Sequence, residues 1–289
     1  MERLFSALPT PFLNDKIDYN SLEKLIEFQI KNGVEGLVFS GSTGEGHSLS
    51  KDEWIELIEF GIKVVKNRCA VVAGVGFNIT SNAVEYSKIA EQLKVDYILA
   101  TVPYYNKPQQ DGIYKHFEAI CNSAKNTKII LYNVPGRTVT DMSNDTILKL
   151  AKDFNNVVAL KDATGKIERV VDLKYKLKDL NKDFTLLSGE DAIQIGFNAM
   201  GGEGVISVVS NVKPKLCKDI QELTKKGDFA QALKLQNELY KTSKAMFCEE
   251  NPVPVKYALY KMGIFASPEC RLPLIELSDK SKKIVEDVL

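Results

Sequence analysis

Val157-Val158-Ala159-Leu160-Lys161-Asp162-Ala163-Thr164-Gly165 is an apolar, β-branched run that breaks off in a lysine, a carboxylate and a turn. Such a run, bounded by turn residues, reads as a strand buried on both faces, the kind found in parallel sheets. Seven more runs of this kind occur, near residues 4–8, 36–39, 70–74, 97–101, 129–132, 185–187 and 204–207, and each is followed by a candidate helix. Residues 19–31 and 52–66 repeat apolar positions at intervals of three and four, and Ser50, Thr80, Ser143 and Asp191 stand where helix N-caps are expected. Eight strands alternating with helices is the count of a (β/α)8 TIM barrel.

After the eighth strand the alternation stops. Residues 215–225, 229–247, 252–262 and 279–288 all read as helices. The expected organisation is a barrel over residues 1–226 and a C-terminal helical extension over 227–289, divided at Gly227-Asp228. The length of 289 residues suits one barrel with an appendage. No solenoid repeat, low-complexity segment or long linker interrupts it.

Bulk chemistry narrows the function classes. Lysine plus arginine equals aspartate plus glutamate at 38 each, so no global field recruits nucleic acid or an anionic membrane. The N-terminal Met1-Glu2-Arg3-Leu4-Phe5 lacks the apolar core of a signal peptide, and no stretch approaches the ~18 apolar residues of a membrane span, so a cytoplasmic location is expected. Five cysteines are scattered and never spaced as CxxC, and only His47 and His116 could supply imidazole, so neither a disulfide framework nor a metal site is expected.

In such barrels catalytic groups sit at the C-terminal ends of strands. Lys161 ends the sixth run, where apolar surroundings would strip its hydration and favour the neutral amine that attacks carbonyls. Ser42 and Thr43, between glycines after the second run, offer hydroxyls and backbone N–H groups to an anion, with no P-loop spacing to mark phosphate. Tyr132 ends the fifth run, one strand from Lys161, and can relay protons. Arg137, five residues on, presents a fork for a carboxylate. Taken singly each has a plainer reading: a lysine snorkelling to solvent, a simple turn, a packing tyrosine, a surface ion pair. Their joint placement at strand ends favours chemistry.

These motifs resemble the dihydrodipicolinate synthase and N-acetylneuraminate lyase superfamily of Schiff-base (class I) pyruvate aldolases. The resemblance runs from Ala7-Leu8-Pro9-Thr10-Pro11-Phe12, through the strand-end loops, to Gly204-Val205-Ile206-Ser207 and Asn251-Pro252-Val253-Pro254-Val255-Lys256. It implies that Lys161 condenses with pyruvate and that Ser42 and Thr43 hold the pyruvate carboxylate. Tyr132 relays protons, and no cofactor is needed beyond the covalent Schiff base. Tyr132-Asn133-Val134-Pro135-Gly136-Arg137-Thr138 is similar to the synthase branch, in which Arg137 receives the carboxylate of L-aspartate 4-semialdehyde. Tyr105 is implied as a relay member reaching a neighbouring subunit's site, Gly189 and Ile206 as backbone lining the pyruvate pocket. The implied assembly is a homotetramer of two tight dimers.

Two departures from the family pattern stand out. The relay hydroxyl, commonly threonine in the synthases, is Ser42, which keeps donor and acceptor but loses the methyl that fixes the rotamer. In lysine-inhibited members the effector lies at the tight-dimer contact, where Asn78 and Tyr104 match, but Asn82 replaces the expected glutamate and Lys51 and Trp54 replace polar residues. Losing the anionic partner of an ammonium should cost roughly two decades of affinity or more. Weak or absent inhibition by lysine is expected, and half-inhibition below about a millimolar would contradict it. Another pyruvate aldolase, such as N-acetylneuraminate lyase or a 2-keto-3-deoxy sugar-acid aldolase, shares Lys161, Tyr132 and the hydroxyl loop, and Arg137 argues for the synthase. The remote alternative is an inert barrel used as a binding protein.

Overall fold

Strands form where the apolar runs lie: β1 (Leu4–Ala7), β2 (Gly36–Phe39), β3 (Ala70–Val75), β4 (Tyr97–Thr101), β5 (Lys128–Asn133), β6 (Val157–Asp162), β7 (Thr185–Ser188) and β8 (Gly204–Ser207). Their order, β1-β8-β7-β6-β5-β4-β3-β2, makes a closed barrel, so the chain is a (β/α)8 barrel followed by C-terminal helices. The computed structural model describes residues 1–180 and 182–289. Contacts group the chain into two compact units, one formed by Val72–Ile206 with Met1, the other by Glu2–Val71 with Ser207–Leu289.

In the first unit a parallel ladder runs across β3 to β8. Val157, Ala159 and Leu160 are fully buried, as expected of a strand covered on both faces. β6 continues past its apolar run through Lys161 and Asp162, which pair in register with Tyr132 and Asn133. The backbone ladder is indifferent to the side chains it carries, and Ala163 N–H extends it by donating to Asn133 O at 2.9 Å. A register shift between Ile129 and Ile130 precedes this pairing.

The second unit carries β1 and β2, paired in parallel from Phe5↔Gly36 to Ala7↔Val38. A side chain at Gly36 would collide with the Phe5 ring, its Cβ only 2.3 Å from Cδ1. A hairpin of Phe12–Leu13 with Lys16–Ile17 follows β1. The helices Pro214–Lys225, Phe229–Ala245, Val253–Lys261 and Asp279–Glu286 complete the unit, with Gly227, at φ +79°, turning the chain between the first two. Among the described residues no helix is long and apolar enough to cross a membrane.

Two of the four expected N-caps are in place. Ser50 makes a reciprocal capping box with Glu53, and Ser143 accepts from Thr146 N–H. Thr80 is instead the first helical residue, capped by Ile79, and its hydroxyl is taken by His116 Nδ1 at 3.0 Å. Asp191 begins a 3-10 turn for which Glu190 is the cap residue, without a side-chain capping bond. In both cases the polar side chain sits one residue inside the turn rather than before it.

Candidate active site

Lys161 and Tyr132 are direct register partners on β6 and β5, so their side chains leave the same face of the sheet. Both are buried, Lys161 at 7 % exposure and Tyr132 at 5 %. The lysine Nζ stands 4.2 Å from the centre of the tyrosine ring. Thr101 and Leu187 occupy the flanking positions of the same register row. No carboxylate lies within ion-pairing distance of Lys161 among the described residues.

The turns that follow these strands are tied together by a polar network. Asp162 Oδ1 accepts from Thr164 N–H at 2.8 Å and from its hydroxyl at 2.6 Å, while Arg169 Nε lies 3.4 Å from Oδ2. Arg169 also donates to both oxygens of Asp141, at 3.0 and 3.1 Å, and to Met142 O at 2.7 Å. Asn133 closes the circuit by donating to Asp141 Oδ1 at 2.8 Å and accepting from Met142 N–H at 3.0 Å. Burial pushes the Asp162 carboxyl above the usual carboxylate range, opposed by the Thr164 bonds and Arg169. The residues next to Tyr132 and Lys161 in sequence are therefore fixed.

Gly189 is required where it stands. Its N–H donates to Asp162 O at 2.6 Å, and a Cβ would meet that of Ala163 at 2.7 Å. Beside it, the half-buried Glu190 has its carboxyl raised first by burial and then by Asp191, while Lys161 and Arg137 pull it down. Glu190 thus lies within the electrostatic reach of Lys161 and Arg137, a proximity its sequence position did not announce. Arg137 sits exposed on the single turn Pro135–Thr138, which is braced by Thr138 Oγ1 donating to Val134 O and Thr140 O at 3.1 and 2.9 Å. Ile206 is buried in β8. Tyr105 stands apart: it is 86 % exposed, at φ +69°, and makes no hydrogen bond among the described residues.

In the other unit, Ser42 and Thr43 share a tight loop after β2. Glu45 N–H donates to Ser42 O at 3.2 Å, Gly46 N–H to Gly41 O at 3.2 Å, and Thr10 Oγ1 to Gly44 O at 2.6 Å. Only glycine fits at position 46, where a Cβ would fall 2.0 Å from Ser40 O. Thr43 Oγ1 accepts from Asn251 Nδ2 at 2.9 Å, which leaves the threonine proton to be donated elsewhere. Glu45, at φ +51°, pairs with Lys256 at 2.5 Å, and both side chains are fully buried. That pair was within reach of sequence reading, because Lys256 interrupts the apolar run Val253–Leu259 much as Lys161 ends the run of β6.

A closed parallel barrel with a buried lysine and tyrosine side by side at adjacent strand ends defines a barrel enzyme. Comparison with known proteins is specific: the model of the dihydrodipicolinate synthetase family matches residues 1–289. The chain is 44 % identical over 286 residues to a 4-hydroxy-tetrahydrodipicolinate synthase of Rickettsia bellii, covering 99 % of this chain and 95 % of the relative. It is 45 % identical over 284 residues to one of Methylobacterium radiotolerans, covering 98 % and 93 %. The crystal structure of dihydrodipicolinate synthase from Aquifex aeolicus superposes with a TM-score of 0.96 at 38 % identity, covering 100 % of this chain and 97 % of that one. The chain belongs to the dihydrodipicolinate synthetase family.

Proposed function

We propose that this chain condenses pyruvate with L-aspartate 4-semialdehyde, the 4-hydroxy-tetrahydrodipicolinate synthase reaction of diaminopimelate and lysine biosynthesis. The observation that carries the reading is the Lys161–Tyr132 pair: a buried amine, not committed to a carboxylate, with a phenol on the adjacent strand. The Lys161 amine adds to the ketone of pyruvate, and the carbinolamine loses water to give an imine. Loss of a methyl proton gives the enamine, whose carbon attacks the aldehyde of the second substrate. That substrate's own amine then adds to the imine carbon, closing the ring and expelling the lysine amine. Each step moves a proton, which a hydroxyl relay of Tyr132 and Ser42 can carry.

Ser42 and Thr43 supply hydroxyls to the pyruvate carboxylate, and Thr43 Oγ1, which accepts from Asn251, keeps its own proton for donation. Arg137 takes the carboxylate of the semialdehyde. Gly189 and Ile206 contribute backbone around the keto acid; the missing side chain at 189 lets it approach Asp162 and Ala163. The chemistry rests on the lysine imine and calls on no further cofactor.

Tyr105, exposed in a left-handed conformation, suits insertion into a second copy of the chain. A homotetramer of two tight dimers acting in the cytoplasm completes the proposal, with residues 1–226 as catalytic barrel and 227–289 as helical domain. Borohydride reduction with pyruvate should add one reduced pyruvyl group at Lys161 by mass spectrometry. In a coupled assay aspartate 4-semialdehyde should be consumed in preference to sugar aldehydes. An unmodified Lys161, or turnover of sugar aldehydes alone, would reject the assignment.

A further inference from the structure

Lys256 and Glu45 lie 211 residues apart in sequence and meet with no exposed surface on either side chain. The Phe12 ring lies against the pair, 4.2 Å from Lys256 Nζ, with the Arg271 guanidinium carbon 4.4 Å from the same ring. The second carboxylate oxygen of Glu45 accepts from Arg271 N–H at 3.0 Å. Both oxygens are thus held by residues of the C-terminal segment. The glutamate backbone is equally committed: its N–H donates to Ser42 O at 3.2 Å, and its carbonyl accepts from Ser48 Oγ at 2.8 Å. Its φ of +51° is one that a residue with a side chain rarely adopts unless its surroundings impose it.

A buried ion pair is poor evidence for stability, since apolar residues of similar volume commonly serve as well or better. Apolar residues cannot supply a directional bond that holds one loop residue in a left-handed turn. Nor can Lys256 act as a second nucleophile, because its nitrogen is enclosed and bound to the glutamate.

We propose that Lys256 is a positioning residue for the hydroxyl loop: through Glu45 it fixes where Ser42 and Thr43 stand, and so sets the affinity for the pyruvate carboxylate. The inference rests on the reading of that loop as the carboxylate site. It assigns to the C-terminal segment a part in substrate binding, exerted through one buried contact.

The test separates positioning from simple stability. In the double variant Glu45→Gln/Lys256→Met no charge is left buried without a partner, so its melting temperature should recover above that of Lys256→Met. Its half-saturation for pyruvate, read by borohydride trapping of the adduct, should stay about tenfold or more above wild type. The KM for the semialdehyde should move by no more than about twofold, within the ordinary effect of a substitution remote from that substrate. Recovery of both melting temperature and pyruvate half-saturation to wild-type values would overturn the proposal. If the double variant does not fold, Glu45→Gln alone serves, since it keeps the shape and an acceptor for Lys256. A selective rise in pyruvate half-saturation supports the proposal, and a parallel rise for both substrates, or none, overturns it. Thr43→Val is run alongside. If Thr43→Val leaves pyruvate half-saturation unchanged, the reading of the loop fails and the proposal with it. If Thr43→Val raises it and the Glu45 and Lys256 variants do not, the positioning role alone fails.

Discussion

Lys161 and Lys256 are both buried, and the fold treats them in opposite ways. Lys161, 7 % exposed, faces an aromatic ring and has no carboxylate at ion-pairing distance among the described residues. Lys256, fully enclosed, is clamped to Glu45 at 2.5 Å. Burial pulls the Lys256 ammonium below its ordinary range, and the adjacent carboxylate resists that fall. Burial by itself therefore does not single out the proposed nucleophile, since both lysines are enclosed. What separates the two is the partner of the nitrogen, an aromatic ring for Lys161 and a carboxylate for Lys256.

The sharpest way to break this comparison is Lys161→Ala, which should remove nearly all turnover and the pyruvyl adduct while leaving the circular-dichroism spectrum unchanged. Adduct formation elsewhere in that variant would mean that the wrong lysine has been singled out. Stability should divide the pair in the other direction. Lys256→Met strands Glu45 as a buried unpaired charge and should cost about 3–5 kcal/mol in denaturant unfolding. Lys161→Met leaves no such orphan and should cost less than about 1 kcal/mol, or stabilise the fold. Equal losses for the two variants would erase the distinction.

A third buried group extends the comparison to pH. Burial depresses the His116 pKa from 6.5 to about 4, so the folded protein keeps this imidazole neutral. Between those values the unfolded chain binds the proton and the folded chain does not. Stability is therefore complete above the unfolded value and is lost as pH falls towards the folded one, by about 2–3 kcal/mol near pH 4.5. His116→Gln should flatten the acid side of the stability curve by that amount, measured as the difference in unfolding free energy between neutral and acid buffers. An unchanged slope would show that the group does not contribute.

The smallest expected loss of activity concerns the division of labour around Lys161. Arg137→Ala should lower kcat/KM for the semialdehyde by about 10- to 100-fold, the worth of a charge-assisted hydrogen bond, and leave pyruvate trapping intact. If trapping fell in parallel, Arg137 would belong to the first substrate and the assignment of the two carboxylates would have to be exchanged.

Some of the site was legible before any fold was known. Lys161 draws notice because a charged residue closing a buried strand is costly and needs a reason, and the proposed roles of Tyr132 and Arg137 were suggested by their places at the end of the neighbouring strand and in the turn after it. Thr80 misled, because a threonine before an apolar helix reads as a cap until its hydroxyl is seen bonded to His116. Glu190 carries no motif that marks it in the sequence, and the influence of Lys161 and Arg137 on its carboxyl became visible only in three dimensions.

The amino-acid order by itself determined the eight buried strands, the amphipathic helices between them and the type of residue at each strand end. These are local properties, set by periodicity and by the cost of burying a polar group within a few residues. Only the tertiary structure decided which polar groups meet: Tyr132 against Lys161 through strand register, Asp162 with Arg169 and Asp141, and Glu45 with Lys256 across 211 residues. Such pairings depend on how distant segments are brought together, and no short window of sequence carries that information.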